Sequence, residues 1–482
     1  MSPLILSMGI VAIVLTLAAL TSRLVEKAPL SFPIIFMGIG FWLGGYGVIN
    51  LDLHSPLLEA VALISLALVL FLDAVNVQID ELKREWYVPF LTLGPGTLLT
   101  MAGVGTAAFF LFGVTPIQAV LLGAVLASTD PVVLRDIVRD QRVPRSVRRA
   151  LSVEAGMNDL VVLPIVLVLI ALLTAQSQGI ADWIGFFFRI LILSPLIGLA
   201  VGGLGAWLMG RVDSRWGISR EYQALYGIGL VFASFAAGQA AGGDGFLSAF
   251  FGGLSITLFN MNLCDCFLEY GEATAEMMML LAFVLFGAVL ANILPTVPLL
   301  PALLLAGAAL LVVRPVAFGL VLIPANMSWA ARAFIGWFGP RGLNSLLLAL
   351  LAVQAHVPHA EYLLAIVGFV VVVSVLVHGV SATPLAWLYA RHVQSTTLAE
   401  ERESTFTGLF DDDPNGIDRI TPAELAAALA GPTPPVILDV RSRAQYDDDD
   451  TQIPTSLRVQ PDRIEEWATS ASKTHTVIAY CT

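Results

Sequence analysis

Apolar runs long enough to cross a lipid bilayer recur along the whole first part of the chain, separated by short polar or charged stretches. They fall at residues 4–21, 29–48, 56–75, 87–112, 117–138, 151–174, 183–209, 222–241, 245–259, 275–293, 299–324, 332–353 and 361–387. A helix needs about 20 mostly apolar residues to span hydrocarbon. The pattern therefore predicts an all-α polytopic membrane protein with about thirteen transmembrane helices, the run at 245–259 being the shortest. Basic residues gather in alternate connections, at Arg23 and Lys27, Lys83 and Arg84, Arg135 to Arg149, Arg211 to Arg220, Arg332 and Arg391. By the positive-inside rule these face the cytoplasm, with the N-terminus outside and the C-terminal tail inside.

Thirteen helices can be laid out as two six-helix halves around a spare seventh. The fifth run then corresponds to the twelfth, and both are interrupted, one by Thr129-Asp130-Pro131 and the other by Gly339-Pro340-Arg341-Gly342. Paired broken helices at matched positions of inverted repeats point to a transporter site, because freed backbone groups and half-helix ends can face an ion there. Pro131 removes an amide donor and bends the fifth helix where Asp130 sits.

Composition agrees with a membrane protein. Of 482 residues 57% are hydrophobic and 13% charged, and the mean hydropathy is +0.83. The net charge of −12 is uneven. From Val393 onward 16 Asp/Glu face 7 Lys/Arg, so −9 belongs to the tail and −3 to the rest. Three cysteines, Cys264, Cys266 and Cys481, predict neither a disulfide framework nor a metal set. No cofactor and no nucleic-acid partner is expected.

Charges inside apolar runs change the picture further, since a carboxylate within a membrane span is costly unless it faces protein or water, and so marks an ion or proton path. Asp130 lies in the fifth run, Glu154 and Asp159 in the sixth. At helical spacing Asn158 stacks over Glu154 and Asp159 over Ala155, on faces about 100° apart, so the two acids can do different work. Arg314 and Arg341 are buried cations that each need a partner. Glu154 is paired with Arg314 as first choice and with Arg341 as second. That leaves Asp159, with Asp130, facing a cavity where a proton and a monovalent cation compete for one carboxylate. Competition at a single carboxylate predicts one-for-one, electrically silent exchange. Asp130 has an equally weighted reading as a helix-end hydrogen bonder. A cation channel, or a membrane sensor signalling through the tail, is the alternative function the same charges allow.

The ordered motifs STDPV (128–132), EAGMND (154–159), the Arg-Pro of the eleventh run and the GPRG of the twelfth resemble the sodium/proton exchanger branch of the monovalent cation/proton antiporters. The likeness covers roughly residues 1–392. It implies a secondary transporter rather than an enzyme, a homodimer, and a six-helix core that moves like an elevator; the compact span layout and the type of tail point to a bacterial inner membrane. It also implies that Thr129, Asp130, Glu154, Asn158 and Asp159 surround the ion, with Na⁺ (or Li⁺ or K⁺) at Asp159, Asp130 and Thr129. An Asn158-Asp159 pair is typical of electroneutral members. Ala155 stands where relatives often carry serine, Met157 adds a poor ligand that is expected to pack, and Asp244 is read as a solvated loop-end acid.

After an acidic linker at 393–418, residues 419–482 carry a short α/β pattern: ITPAELAAALAG as a helix, PVILDVRS and HTVIAYCT as strands. The segment is similar to the first part of a rhodanese-like domain, with Cys481 at the place of the nucleophile. Only Thr482 follows it, so no sulfurtransferase activity is expected, and the tail is read as a partner-binding appendage.

Overall fold

The computed structural model describes most of residues 32–395 and most of 420–480. The first run (4–21) is described only at isolated helical positions; the Lys83-Arg84 connection, Cys264, most of the acidic linker and Cys481 lie outside the described residues.

The described membrane part is helical throughout. α1 (Phe32–Gly45), α2 (Pro56–Val75) and α3 (Tyr87–Phe112) lead into a fifth span that is two helices, α4 (Pro116–Val125) and α5 (Pro131–Arg139). α6 (Arg145–Leu173), α7 (Ile180–Trp216), α8 (Arg220–Ala240), α9 (Gly245–Leu258), α10 (Asp265–Ile293) and α11 (Leu299–Val321) follow. The twelfth span is again divided, into α12 (Trp329–Trp337) and α13 (Leu343–Gln354), before α14 (Ala360–Ser395). Seven described helices are long and apolar enough to cross a membrane. The protein is a multi-pass integral membrane protein.

Several helices outrun their apolar stretch. α6 begins six residues before the predicted 151, because Arg145-Ser146-Val147-Arg148-Arg149 continues the turn into the basic layer. α7 runs through both polar ends of its predicted 183–209 segment. Charged residues with good helix propensity extend a helix past the hydrocarbon without ending it.

The packing follows the inverted repeat. α1 lies along α10, and α2 along α9, which is the exchange expected when spans two and three correspond to nine and ten. The α1–α10 contact is made by small residues: a methyl at Gly40 or Gly44 would strike the backbone of Val284 or Ala288, and one at Gly287 the carbonyl of Met37. Lipid offers no hydrophobic drive between helices, so such close backbone approach supplies the dispersion contacts that hold them. α1, α2 and α7–α10 form one group of helices; α3–α6 and α11–α14 pack into another that contains both broken spans.

In the tail, α15 (Pro422–Leu429) starts with a capping box in which Thr421 and Glu424 satisfy each other's backbone N–H. β1 (Val436–Asp439), β2 (Leu457–Arg458), α16 (Ile464–Ser470) and β3 (Val477–Tyr480) complete it, the three strands parallel in the order β2-β1-β3. The two predicted strands are found in shortened form. β2 and α16 were not foreseen, since two strand residues and seven helical ones leave no readable period.

Candidate functional site

The two broken spans cross at their breaks. After α4 the chain leaves the helix at Leu126, and Asp130 begins the next one as N-cap, its Oδ1 accepting the Val132 N–H at 2.9 Å. Pro131 thus occupies the first turn of a new helix, where a missing N–H costs nothing. The break is complete rather than the bend its proline suggested. Opposite it, Leu343 N–H opens α13 by donating to Asp130 Oδ2 at 2.9 Å, and Asp130 N–H donates to the Pro340 carbonyl at 2.9 Å. One carboxylate caps both half-helices, using the positive ends of two helix dipoles. The complementary negative end is met by Arg341, whose Nη1 donates to the carbonyls of Ala127 (2.8 Å) and Ser128 (3.1 Å) beyond α4.

The glycines of GPRG make this approach possible. A methyl on Gly342 would overlap the Asp130 carboxylate, and one on Gly339 the Arg314 guanidinium. α14 fixes the second break from behind: Ser374 Oγ accepts the Arg341 N–H at 2.7 Å, and His378 Nε2 lies 3.0 Å from the Trp337 carbonyl.

α6 brings its acids against this crossing. Glu154 is fully buried and forms a two-pronged ion pair with Arg314, Nη1–Oε1 3.0 Å and Nη2–Oε2 2.9 Å. Arg314 is therefore its partner, the first of the two weighed. Arg314 also donates to the Phe338 carbonyl and lies 4.2 Å over the ring of Phe318. Thr129 Oγ1 donates to Glu154 Oε1 at 2.6 Å. The Asn158 amide lies within 3.2–3.5 Å of Glu154 Oε1, Thr129 Oγ1, the Ala127 carbonyl and Thr97 Oγ1, so its NH₂ faces acceptors. Its Oδ1 is buried without a hydrogen-bond partner.

Asp159 is 4% exposed and accepts from Ser128 Oγ at 2.7 Å and Asn344 Nδ2 at 2.8 Å. Each break thus lends one neutral donor to this acid, while the cationic partner goes to Glu154. The sequence reading named neither Ser128 nor Asn344. Their signal was present, since both are small polar side chains directly flanking a break. Both fourth-span equivalents, α3 and α11, also carry a wide turn, at Thr92–Gly96 and Ala308–Val313. Such π turns collect at functional sites; Pro95 and Pro315 mark them in the sequence.

A cavity of about 570 Å³ opens on the arginine-rich side between α2, α5, α6 and α10, with Asp73, Asn76, Arg145, Arg148, Ser152 and Glu276 in its wall. It reaches Pro131 and Ala155, one residue from Asp130 and one turn from Asp159, but neither carboxylate lines it. Both were expected to face the cavity; in this conformation both are enclosed. Met157 sits in the cavity wall rather than in the packed interior. Asp244 is half-buried and caps α9, accepting from Leu247 N–H at 2.8 Å, so it is a helix end rather than a solvated acid.

A membrane bundle with two crossed helix breaks at matched positions of an inverted repeat is an architecture shared by many transporter folds. Residues 10–388 match the family described as sodium/hydrogen exchanger, transmembrane, and the chain belongs to that family. It is 25% identical over 390 residues to the K(+)/H(+) antiporter NhaP of Alkalimonas amylolytica (80% of this chain, 66% of the relative). It is 27% identical over 386 residues to the K(+)/H(+) antiporter NhaP2 of Shewanella baltica (78% and 66%). The chain thus spans just under two thirds of the length of these relatives. Among solved structures, the sodium proton antiporter MjNhaP1 of Methanocaldococcus jannaschii shares the fold with a TM-score of 0.67 at 20% identity, covering 80% of this chain and 99% of that one.

Proposed function

We propose that this chain exchanges a monovalent cation for a proton across the membrane, one for one, by alternating access, with both substrates competing for Asp159. The observation that carries this is the division of labour on α6: Glu154 is permanently neutralised by Arg314, whereas Asp159 is buried with only neutral donors. A buried carboxylate without a fixed counter-charge is stable only when something positive occupies it. A proton or an alkali ion supplies that charge, and occupancy by one excludes the other.

The donors around the ion differ from the set the resemblance implied. Thr129 and both Asp130 oxygens are already committed to hydrogen bonds within the crossing. The cation therefore draws chiefly on Asp159, the Ser128 hydroxyl, the free Asn158 Oδ1 and water. Na⁺ is the first substrate of this reading. K⁺ is the second, favoured by the names of the two relatives quoted above. The orientation that follows from the basic loops puts the 570 Å³ cavity and the tail in the cytoplasm of a bacterial inner membrane. A homodimer, and a tail of rhodanese type that binds a protein partner, belong to the same proposal.

The test is cation-driven pH change in proteoliposomes with Na⁺, Li⁺ and K⁺ in turn. Wild type should acidify or alkalinise the lumen with at least one of them. Asp159→Asn, which keeps the Ser128 and Asn344 contacts sterically possible, should reduce exchange to background. Undiminished exchange by that variant removes Asp159 from its role. Cation flux indifferent to a proton gradient would instead make the protein a channel.

A further inference from the structure

Three of the six histidines of the chain, His54, His356 and His359, line one cavity of about 490 Å³ at the end of the molecule opposite the arginine-rich layer. His54 stands just before α2; His356 and His359 lie in the connection between α13 and α14. The rings of His54 and His356 are stacked, with centroids 5.9 Å apart and planes 17° from parallel. The contact joins the two groups of helices, since α2 belongs to one and α13–α14 to the group that holds the crossed breaks. The loop carrying His356 is also tied to α4, because Gln118 Nε2 donates to the Pro358 carbonyl at 2.9 Å.

His356 occupies a position chemistry assigns to glycine. It ends α13 with φ +56°, its N–H donating to Val353 and the next N–H, that of Val357, to Ala352. This is the paired closure in which the left-handed residue is usually glycine. A β-carbon kept in such a place, with its imidazole against another imidazole, points to work done by the side chain. A separate narrow crevice of about 200 Å³ lies between α2 and α13, the helices whose ends the pair joins, with Leu63, Leu66, Leu347 and Leu351 in its wall together with Phe235 of α8 and Phe246 of α9. Leu347 and Leu351 share the face of α13 that begins at Asn344, the donor to Asp159.

We propose that His54 and His356 form a proton-binding latch on the outer face, which closes the crevice while either ring is neutral and releases it when external acid charges both. Histidine changes charge between about pH 5 and 8. Two imidazolium ions at 5.9 Å repel, whereas the neutral rings stack. The other titratable groups at the cavity and crevice are Asp52, 3.8 Å from His54, together with Glu59, His359, Glu361 and Tyr362. The proposal rests on the exchange reading for its orientation and purpose, and its test does not depend on transport.

The probe is Leu351→Cys in the full chain, with Cys264, Cys266 and Cys481 changed to Ser, reconstituted with the outer face outward at fixed internal pH. A membrane-impermeant thiol reagent is added outside at pH 8 and at pH 5.5. The same probe is placed in a background with His54→Gln and His356→Gly, the latter at a position glycine favours, so that folding is preserved. The ratio of labelling rates, paired histidines over background, cancels the pH dependence of the thiolate. It should rise about threefold from pH 8 to pH 5.5, the repulsion of two unit charges at that distance in water. An unchanged ratio overturns the latch. Exchange measured on vesicles of the two histidine backgrounds without the probe separates the two ideas: a flat ratio with exchange intact removes the latch alone, and a rising ratio without exchange removes the transport reading alone.

Discussion

At the scale of single residues, α6 assigns opposite fates to two acids five positions apart. Glu154 is satisfied by Arg314, Thr129 and Asn158 and has no vacancy for a substrate. Glu154→Gln should therefore act on the fold before it acts on transport. It leaves a fully buried guanidinium without its charge partner, a change that costs roughly 3–5 kcal/mol. The thermal midpoint of the purified protein in detergent should fall accordingly, and adding Arg314→Leu to Glu154→Gln should recover a good part of it. The doubly changed protein should still exchange cations for protons, because Asp159 is untouched. A double variant as unstable as the single one would show that the pair is not what the charge is for. This pairing was open to a reader of the sequence, since an arginine in an apolar run must find an acid. The two donors to Asp159 were not equally open. Ser128 and Asn344 are polar residues of ordinary kinds, and only the crossing of two breaks brings them to one carboxylate.

At the scale of elements, the breaks are specified by more than their prolines. Gly342 is required because the Asp130 carboxylate occupies the space where its β-carbon would stand. Gly342→Ala should cost about 1–3 kcal/mol by overpacking and displace the cap that starts α13, so that exchange falls along with the melting temperature. Gly319→Ala, on α11 with no atom within 4 Å of the added methyl, should shift stability by no more than about 0.5 kcal/mol. If the two alanines behave alike, the crossing does not depend on that close approach. The existence of the spans and of both interruptions was legible from hydropathy and from Gly/Pro placement. Their ends were less so, as α6 and α7 show, because polar helical residues carry no membrane signal.

The tail offers a second element-scale case. Asp439 ends β1 and is held by Arg441, Nη2–Oδ2 2.7 Å, with both side chains buried. Burial pushes its carboxyl upward, but the bonds from Arg441 outweigh this and hold it below the ordinary aspartate range. Its stabilising effect is thus complete above the unfolded value, near pH 3.9, and fades as pH falls through the lower folded value. Asp439→Asn should open the tail to limited proteolysis of the full chain at pH 7. Wild type should become comparably sensitive to an acid-active protease only below about pH 4. The strand was readable from its apolar run; the dependence of this fold on one internal Asp-Arg clasp was not.

At the scale of the whole molecule, charge explains why the exchange should be obligatory. Among the described residues of the membrane part, the fully buried acids are Asp130, Glu154 and Asp159 and the fully buried arginines are Arg314 and Arg341. His378, whose Nε2–H donates to the Trp337 carbonyl while Nδ1 accepts from the Ser374 hydroxyl, is counted as neutral. The buried interior around the crossed breaks then carries one net negative charge when empty and none when one monovalent cation or proton is bound. An empty site is held back by the cost of moving that charge through hydrocarbon, whereas either loaded form crosses without it. On the proposed reading, exchange rather than leakage follows, and no net charge should move in a full cycle. Clamping the membrane potential at 100 mV should leave the rate and the equilibrium ion ratio unchanged. Transfer of one net charge would instead bias the equilibrium by about 2.3 kcal/mol, close to fiftyfold. A bias of that size would require a second titrating acid, and Asp130 would be the first to change to Asn, with loss of the potential dependence as the deciding result.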